Sequence, residues 1–242
     1  MEQVTPIKNS TAGKKEQVQE MFDDISGRYD FLNRFLSIGI DTIWRKKAIN
    51  ELKPIAPKQI LDIATGTGDL AIEALRLNPD KVTGIDISEG MLEVGRIKLK
   101  NKKLDDKIVL QSGDSENIEF EDNSFDAITV AFGVRNFENL QKGIGEMSRV
   151  LRPGGKVVVL EFSKPKKFPV KQLYNFYFKY ILPVLGKTIS KNSRAYSYLP
   201  ESVNAFPEGS DFIKILEEKG FKNTTCQPLT FGICSIYTGI KH

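Results

Sequence analysis

The sequence predicts an α/β chain built around a mostly parallel sheet. From residue 59 onward, short β-rich runs alternate with amphipathic stretches, the pattern of strands joined by crossover helices. The first run leads into the first of these stretches through a turn containing Gly66 and Gly68. The last two runs are separated by about four residues, Thr230 to Ile233, so they should pair antiparallel as a hairpin. Seven strands in one domain of 242 residues follow, enough chain to bury a substantial core.

The elements can be taken in order. After a polar start, residues 17–52 read as helical, because Val18, Phe22, Ile25 and Tyr29 recur at three- and four-residue steps. Residues 30–44 are denser in apolar side chains and hold Gly39, which predicts two short helices, and Pro54 and Pro57 close the section. This stretch, 14–52, is expected to form a helical lid. The strands are expected at 60–64, 81–87, 108–111, 125–132 and 156–162, with helices at 69–78, 88–100 and 139–151. Together they make a core over 57–163, in which Pro153, Gly154 and Gly155 should break the chain before the fifth strand. An insertion at 164–207 follows, and then a helix at 210–219 with strands at 222–229 and 234–240 over 208–242. Cys226 and Cys234 read as buried strand residues.

Composition removes several chemistries. The one histidine is His242, so Ser-His-Asp and Cys-His catalysis lack a base. Two cysteines and one histidine cannot supply the about four ligands of a structural zinc site, nor build a disulfide framework. No apolar run reaches the ~20 residues that cross a bilayer. The first residues lack the apolar middle of a signal peptide, so a cytoplasmic protein is expected.

The glycine turn points to a nucleotide-like ligand. Gly66 and Gly68 let the backbone approach a ligand at angles that a side chain forbids, and the following helix presents unpaired N–H groups. Asp86 closes the second strand, 18 positions after Gly68, where a carboxylate can accept both hydroxyls of a ribose. Taken alone, the turn also fits a nicotinamide dinucleotide or a purely structural loop. Three features favour S-adenosylmethionine. Asp62 precedes the glycines, as in methyltransferases that hold the amino-acid end of this donor. Asp114 follows the third strand, where an adenine amino group can be met. The closing hairpin departs from the parallel continuation of dinucleotide folds.

Longer segments carry a family resemblance. Tyr29-Asp30-Phe31-Leu32-Asn33-Arg34-Phe35-Leu36-Ser37-Ile38-Gly39-Ile40-Asp41-Thr42-Ile43-Trp44 is similar to the first signature of the menaquinone/ubiquinone C-methyltransferase family. Arg149-Val150-Leu151-Arg152-Pro153-Gly154-Gly155, running on to Glu161-Phe162-Ser163-Lys164-Pro165, resembles the second. Phe132-Gly133-Val134-Arg135-Asn136 and Tyr196-Ser197-Tyr198-Leu199-Pro200-Glu201-Ser202 also fit, and the match runs over roughly residues 16–240.

The resemblance implies a class I, Rossmann-like S-adenosylmethionine-dependent methyltransferase acting on a ring carbon of a prenylated quinol. Demethylmenaquinol is the favoured acceptor and a ubiquinone precursor the alternative. It also implies donor contacts at Thr67, Asp86, Asp114 and Ser115. Where the family has a serine at the end of the fourth strand, this chain has Ala131, which offers the donor no hydroxyl. Where the first signature usually carries histidine, this chain has Asp41, so a histidine there is not an obligatory base.

A sulfonium methyl is already a strong electrophile, so the acceptor must be made nucleophilic as a phenolate, aligned with the methyl and kept from water. Arg135, just past the fourth strand, is assigned to stabilising that phenolate, because guanidinium does not give up its proton. Asn136 is assigned to the second ring oxygen. Tyr29 and Asp30 on the lid are the candidates for relaying the proton.

Residues 163–200 contain no Asp or Glu, but hold Lys164, Lys166, Lys167, Lys171, Lys179, Lys187, Lys191 and Arg194, a formal +8 in a chain of net +4. Phe168, Tyr174, Phe176, Tyr177, Phe178, Tyr180, Ile181, Leu182, Val184 and Leu185 are interleaved with these cations. The acceptor's prenyl tail stays in the membrane, so this stretch is expected to dock peripherally on anionic lipid at the inner face. The plainer readings are an aromatic lid under solvated lysines, or a grip on single-stranded nucleic acid, for which no accompanying module exists. No nucleic-acid partner is therefore expected, and a homo-oligomer is left open.

Overall fold

The structure, a computed structural model, describes residues 4–7, 10–37, 39–177, 180 and 194–242, with the backbone alone at 32, 33, 35, 36, 194 and 196. The sequence expectations for Ile38, Phe178, Lys179, Ile181, Leu182, Val184, Leu185, Lys187 and Lys191 lie outside the described residues. Those for the Arg194 and Tyr196 side chains do too.

Among the described residues three α-helices precede the sheet: α1 (Lys14–Ile25), α2 (Tyr29–Ser37) and α3 (Ile40–Asn50). Gly39 separates the last two with a φ of 75°, a left-handed value that suits a residue with no Cβ. The strands and helices then alternate: β1 (Gln59–Ile63), α4 (Asp69–Ala74), β2 (Lys81–Asp86), α5 (Glu89–Lys102), β3 (Ile108–Ser112), β4 (Phe125–Ala131), α6 (Leu140–Val150) and β5 (Leu151–Phe162). After α7 (Val170–Phe176) and α8 (Arg194–Ala205) come α9 (Ser210–Glu218), β6 (Phe221–Leu229) and β7 (Cys234–Lys241).

The seven strands form one sheet in the order β3-β2-β1-β4-β5-β7-β6. β1 to β5 pair in parallel, and β7 runs antiparallel between β5 and β6. The order reverses between β1 and β4, and the crevice outside the carboxyl ends at such a point is where open sheets bind ligands. β6 closes one edge and carries Pro228, tolerable there because an edge strand has a side with no ladder to feed.

Side-chain alternation packs both faces of the sheet. Ile60, Val158 and Leu160 meet Trp44, Ile49, Leu70 and Leu92 of α3, α4 and α5 on one side. Leu61, Val157 and Val159 meet Ile144 and Met147 of α6 and Phe212 of α9 on the other. Strands buried on both faces explain why their runs are almost continuously apolar.

Two expectations are corrected. Pro153, Gly154 and Gly155 do not break the chain before the fifth strand; β5 runs through them. Leu151 pairs with Phe125 and Lys156 with Ala127, so five steps along β5 face two along β4 and the excess is taken up as a bulge. Gly154, at φ 79°, supplies the bend. Of the two cysteines, Cys234 is buried but Cys226 only half-buried, because β6 is an edge strand.

Candidate active site

The carboxyl ends of β1, β2, β3 and β4 and the helices α1 and α2 enclose a cleft with about 650 Å³ of empty space, its open mouth included. That volume lies within the range of small-molecule sites. The sheet contributes Ala64, Gly66, Asp86, Asp114, Ser115, Ala131, Phe132 and Asn136, and the helical section contributes Lys15, Val18, Phe22 and Tyr29. Residues from five sequence-distant segments thus share one wall.

The turn after β1 is strained in the manner the glycines suggest. Gly66 and Gly68 have φ of 56° and 82°. Ala64 (φ 51°) and Phe132 (φ 60°) also adopt left-handed backbone, and sequence reading missed both. Such backbone in non-glycine residues persists where the surroundings over-determine it, often at ligand sites. Here Gly133 lies so close to the turn that a Cβ on it would stand 2.5 Å from the Ala64 Cβ.

Beneath the turn, Asp62 is almost wholly buried and accepts hydrogen bonds from the hydroxyls of Thr65 and Thr129, both at 2.6 Å. Burial pushes its carboxyl up to about 6, against the pull of those two hydroxyls. Asp62 does not line the cleft; it fixes the turn from below. Asp86 does line it, and accepts from the Gly66 N–H at 2.8 Å and the Ser88 N–H at 2.9 Å. Burial raises its carboxyl above the usual range, and these backbone donors oppose the rise.

Several contacts tie the N-terminal helices to the sheet ends. Lys15 Nζ reaches Asp114 at 2.7 Å and Glu116 at 3.5 Å. Asp23 accepts from the Ser88 hydroxyl at 2.6 Å and the Gly90 N–H at 2.9 Å, anchoring α1 to the N-terminus of α5. Asp30 accepts from the Thr67 hydroxyl and from Lys98 Nζ, each at 2.5 Å. Asp30, Thr67 and Gly68 therefore support the turn from outside the cleft lining, whereas Tyr29 faces the cleft and stacks edge-on against Phe22. Asp41 is buried and engaged by Arg45 and the Ser37 hydroxyl, within the packing between α2 and α3.

Past β4, a short 3₁₀ turn, Val134–Asn136, presents Asn136 to the cleft, whereas Arg135, assigned from the sequence to the acceptor, is not among the residues lining it and borders a neighbouring depression with Lys14, Phe137 and Ser202. Arg135 Nη1 donates to Glu161 at 2.9 Å and to the Phe132 carbonyl, and its guanidinium lies 5.5 Å from the centre of the Phe162 ring. Glu161 is fully buried. Burial raises its carboxyl and the Arg135 charge pulls it back. Arg135 Nε and Asn136 Oδ1 are buried without hydrogen-bond partners among the described residues, leaving one spare donor and one spare acceptor on adjacent residues. The sequence reading overlooked Glu161, Lys15, Asp23 and Lys98. The signature around Glu161 was its one local signal.

The arrangement can hold a nucleoside with polar ends. Asp86 and Asp114 offer carboxylate acceptors, Ile87 and Met91 an apolar wall, and Gly66 an open backbone. Next to β5 the sheet continues with the antiparallel β7, where dinucleotide folds continue in parallel.

Residues 10–241 match the ubiE/COQ5 methyltransferase family. A demethylmenaquinone methyltransferase of Bacteroides fragilis is 52% identical over 242 residues, covering 99% of this chain and 98% of its own. A ubiquinone/menaquinone biosynthesis C-methyltransferase UbiE of Geotalea daltonii is 50% identical over 230 residues, covering 94% and 97%. Among solved structures, an S-adenosylmethionine-dependent methyltransferase of Thermotoga maritima, described as a possible histamine N-methyltransferase, superposes with a TM-score of 0.63. It is 18% identical and the match covers 93% of this chain and 99% of that one, a likeness of fold.

Proposed function

The chain belongs to the ubiE/COQ5 methyltransferase family, and from that membership we infer that it methylates a ring carbon of demethylmenaquinol to give menaquinol, with S-adenosylmethionine as donor. The observation that carries the choice of acceptor is the likeness, along the whole chain, to the Bacteroides fragilis protein. A ubiquinone precursor is the second reading, favoured by the name of the Geotalea relative.

The donor is held by the turn and the strand ends. Asp86 accepts the ribose hydroxyls, Asp114 and Ser115 meet the adenine, and Ile87 and Met91 pack against its face. Gly66 lets the backbone come close, Ala131 provides room without a hydroxyl, and Asp62, Thr67 and Gly68 keep the turn in shape. Bound there, S-adenosylmethionine supplies an electrophilic methyl on a positively charged sulfur.

The remaining work falls to the protein's own side chains. In this reading Arg135, next to the cleft-lining Asn136 and steadied by Glu161 and by the Phe162 ring, offers its spare Nε–H to the oxygen of the acceptor that loses a proton. A fixed cation in a buried setting stabilises a developing phenolate far more than water does. Asn136 Oδ1 accepts a hydrogen bond from the second ring hydroxyl. We assign the proton relay to Tyr29, which faces the cleft, since Asp30 is committed to Thr67 and Lys98. α1 and α2 act as the lid that excludes water.

Among the described residues no helix is long and apolar enough to cross a membrane. We infer that the acceptor's tail remains in the bilayer and that the enzyme works peripherally at an anionic surface, a reading supported by the exposed Lys166, Lys167 and Lys171. Mass spectrometry of quinones from cells lacking the gene tests the function. A naphthoquinone short by one methyl is expected to accumulate. Unchanged menaquinone with a depleted ubiquinone pool would shift the assignment to the second reading.

A further inference from the structure

Three sequence-distant segments that carry exposed apolar side chains are joined at the tip between β6 and β7. Phe231, at the tip between β6 and β7, is 82% exposed and has a left-handed backbone with φ 57°, uncommon for a bulky residue. Its neighbour Thr230 accepts a hydrogen bond from Trp44 Nε1 at 2.8 Å, which ties the tip to α3, where Ile43 is 53% exposed. On the other side, Gly232 packs on Pro165, and its carbonyl accepts from the Ser163 hydroxyl at 3.0 Å. Three residues beyond Pro165 comes Phe168, which is 81% exposed.

Scattered apolar residues on a surface are ordinary, but exposed apolar side chains on three segments joined at one tip suit a contact site. Its surroundings are cationic. Lys46 and Lys47 lie one turn beyond Ile43, and Lys166 and Lys167 immediately precede Phe168; all four are exposed. Lys166 remains so although Glu208 lies 3.8 Å away. Neither 163–200 nor 219–242 contains an Asp or Glu.

We propose that this face is a docking surface for an anionic lipid bilayer. Phe231, Ile43 and Phe168 enter the boundary between headgroups and acyl chains, and the flanking lysines meet the headgroups. The charge complementarity selects the occupant: a plain hydrophobic pocket on another protein matches the three tips but has no use for the lysines. The proposal rests on the reading that the acceptor's tail lies in the membrane. It extends that reading by placing α3 and the hairpin tip, both outside the basic stretch, on the membrane side.

Flotation of the full chain with vesicles of phosphatidylcholine, alone or mixed with phosphatidylglycerol, tests it. The wild-type protein is expected to float with the anionic vesicles, and less at high salt. Phe231→Ser should lower the partition roughly tenfold, and each of Lys166→Gln and Lys167→Gln about fivefold. Trp44, the single tryptophan, lies under the tip, so its unchanged emission shows that the variants fold. Equal flotation of the wild type and Phe231→Ser overturns the proposal, as does equal recovery on neutral and anionic vesicles. Self-association that Phe231→Ser abolishes, without flotation, overturns it in favour of a second copy. Partition is measured without acceptor, so a protein that floats but methylates no quinol defeats only the proposed reaction. One that methylates a short-tailed quinol but does not float defeats only the docking surface.

Discussion

Glu161 holds Arg135: its buried carboxylate accepts Arg135 Nη1 at 2.9 Å, and its other oxygen faces the Arg135 backbone N–H at 3.4 Å. The pair sits at the ends of neighbouring strands β4 and β5, which bring together residues 26 apart in sequence. In the mechanism we propose, Arg135 carries the charge offered to the acceptor and Glu161 sets its direction.

Arg135→Ala is expected to reduce kcat about 10²- to 10³-fold while the donor's Kd, read by calorimetry, barely moves. Since removing one partner of a buried pair destabilises by about 3–5 kcal/mol, Arg135→Lys is the companion variant. It leaves Glu161 a counter-charge but removes the planar fork, and it should still lose turnover. Wild-type turnover in Arg135→Lys would take the guanidinium out of the mechanism.

Asp86→Asn should weaken donor binding roughly 10- to 100-fold, the loss of a charged acceptor for two hydroxyls. Turnover at saturating donor should fall much less. Calorimetry with S-adenosylmethionine reads this directly, and an unaltered Kd would place the ribose elsewhere.

Lys14 Nζ is buried and donates to the carbonyls of Arg135 and Phe137 at 3.1 and 2.9 Å. Burial, helped by the Arg135 charge, lowers its pKa to about 8 from an ordinary 10.5. The folded state therefore binds fewer protons than the unfolded chain between pH 8 and 10.5, so this group's contribution to stability rises with pH across that window. The gain is up to about 3 kcal/mol. Urea unfolding at pH 8 and pH 10 should show this slope in the wild type and lose it in Lys14→Met. Parallel slopes in the two proteins would contradict the assignment.

Gly133→Ala forces a methyl to within 2.5 Å of the Ala64 Cβ, where backbone rather than a flexible side chain must yield. About 1–3 kcal/mol of stability should be lost. The turn bearing Arg135 and Asn136 must shift with it, so kcat should drop more than donor affinity. Thermal unfolding and steady-state kinetics on the one variant check both parts.

The alternation of apolar runs, the glycine turn, Asp86 at the end of its strand and the closing hairpin were all readable, because each is set by local periodicity or by the backbone freedom of a few residues. The positions of Gly66, Asp86, Asp114, Ser115, Ala131 and Asn136 around one cleft follow from that, since all lie at the carboxyl ends of strands in one parallel sheet. The left-handed backbone of Ala64 and Phe132 could not be read, because neither residue type advertises it.

The sequence by itself determined the order of elements, the seven-stranded architecture and the chemistry of the strand ends. Only the tertiary structure decided which charges meet: Lys15 with Asp114 across 99 residues, Asp30 with Thr67 and Lys98, Glu161 with Arg135. It also decided that α3 and the segment from Ser163 to Pro165 both meet the tip between β6 and β7. Periodicity says which face of an element is buried, but only the packing of one element on another says which side chains face each other across the gap.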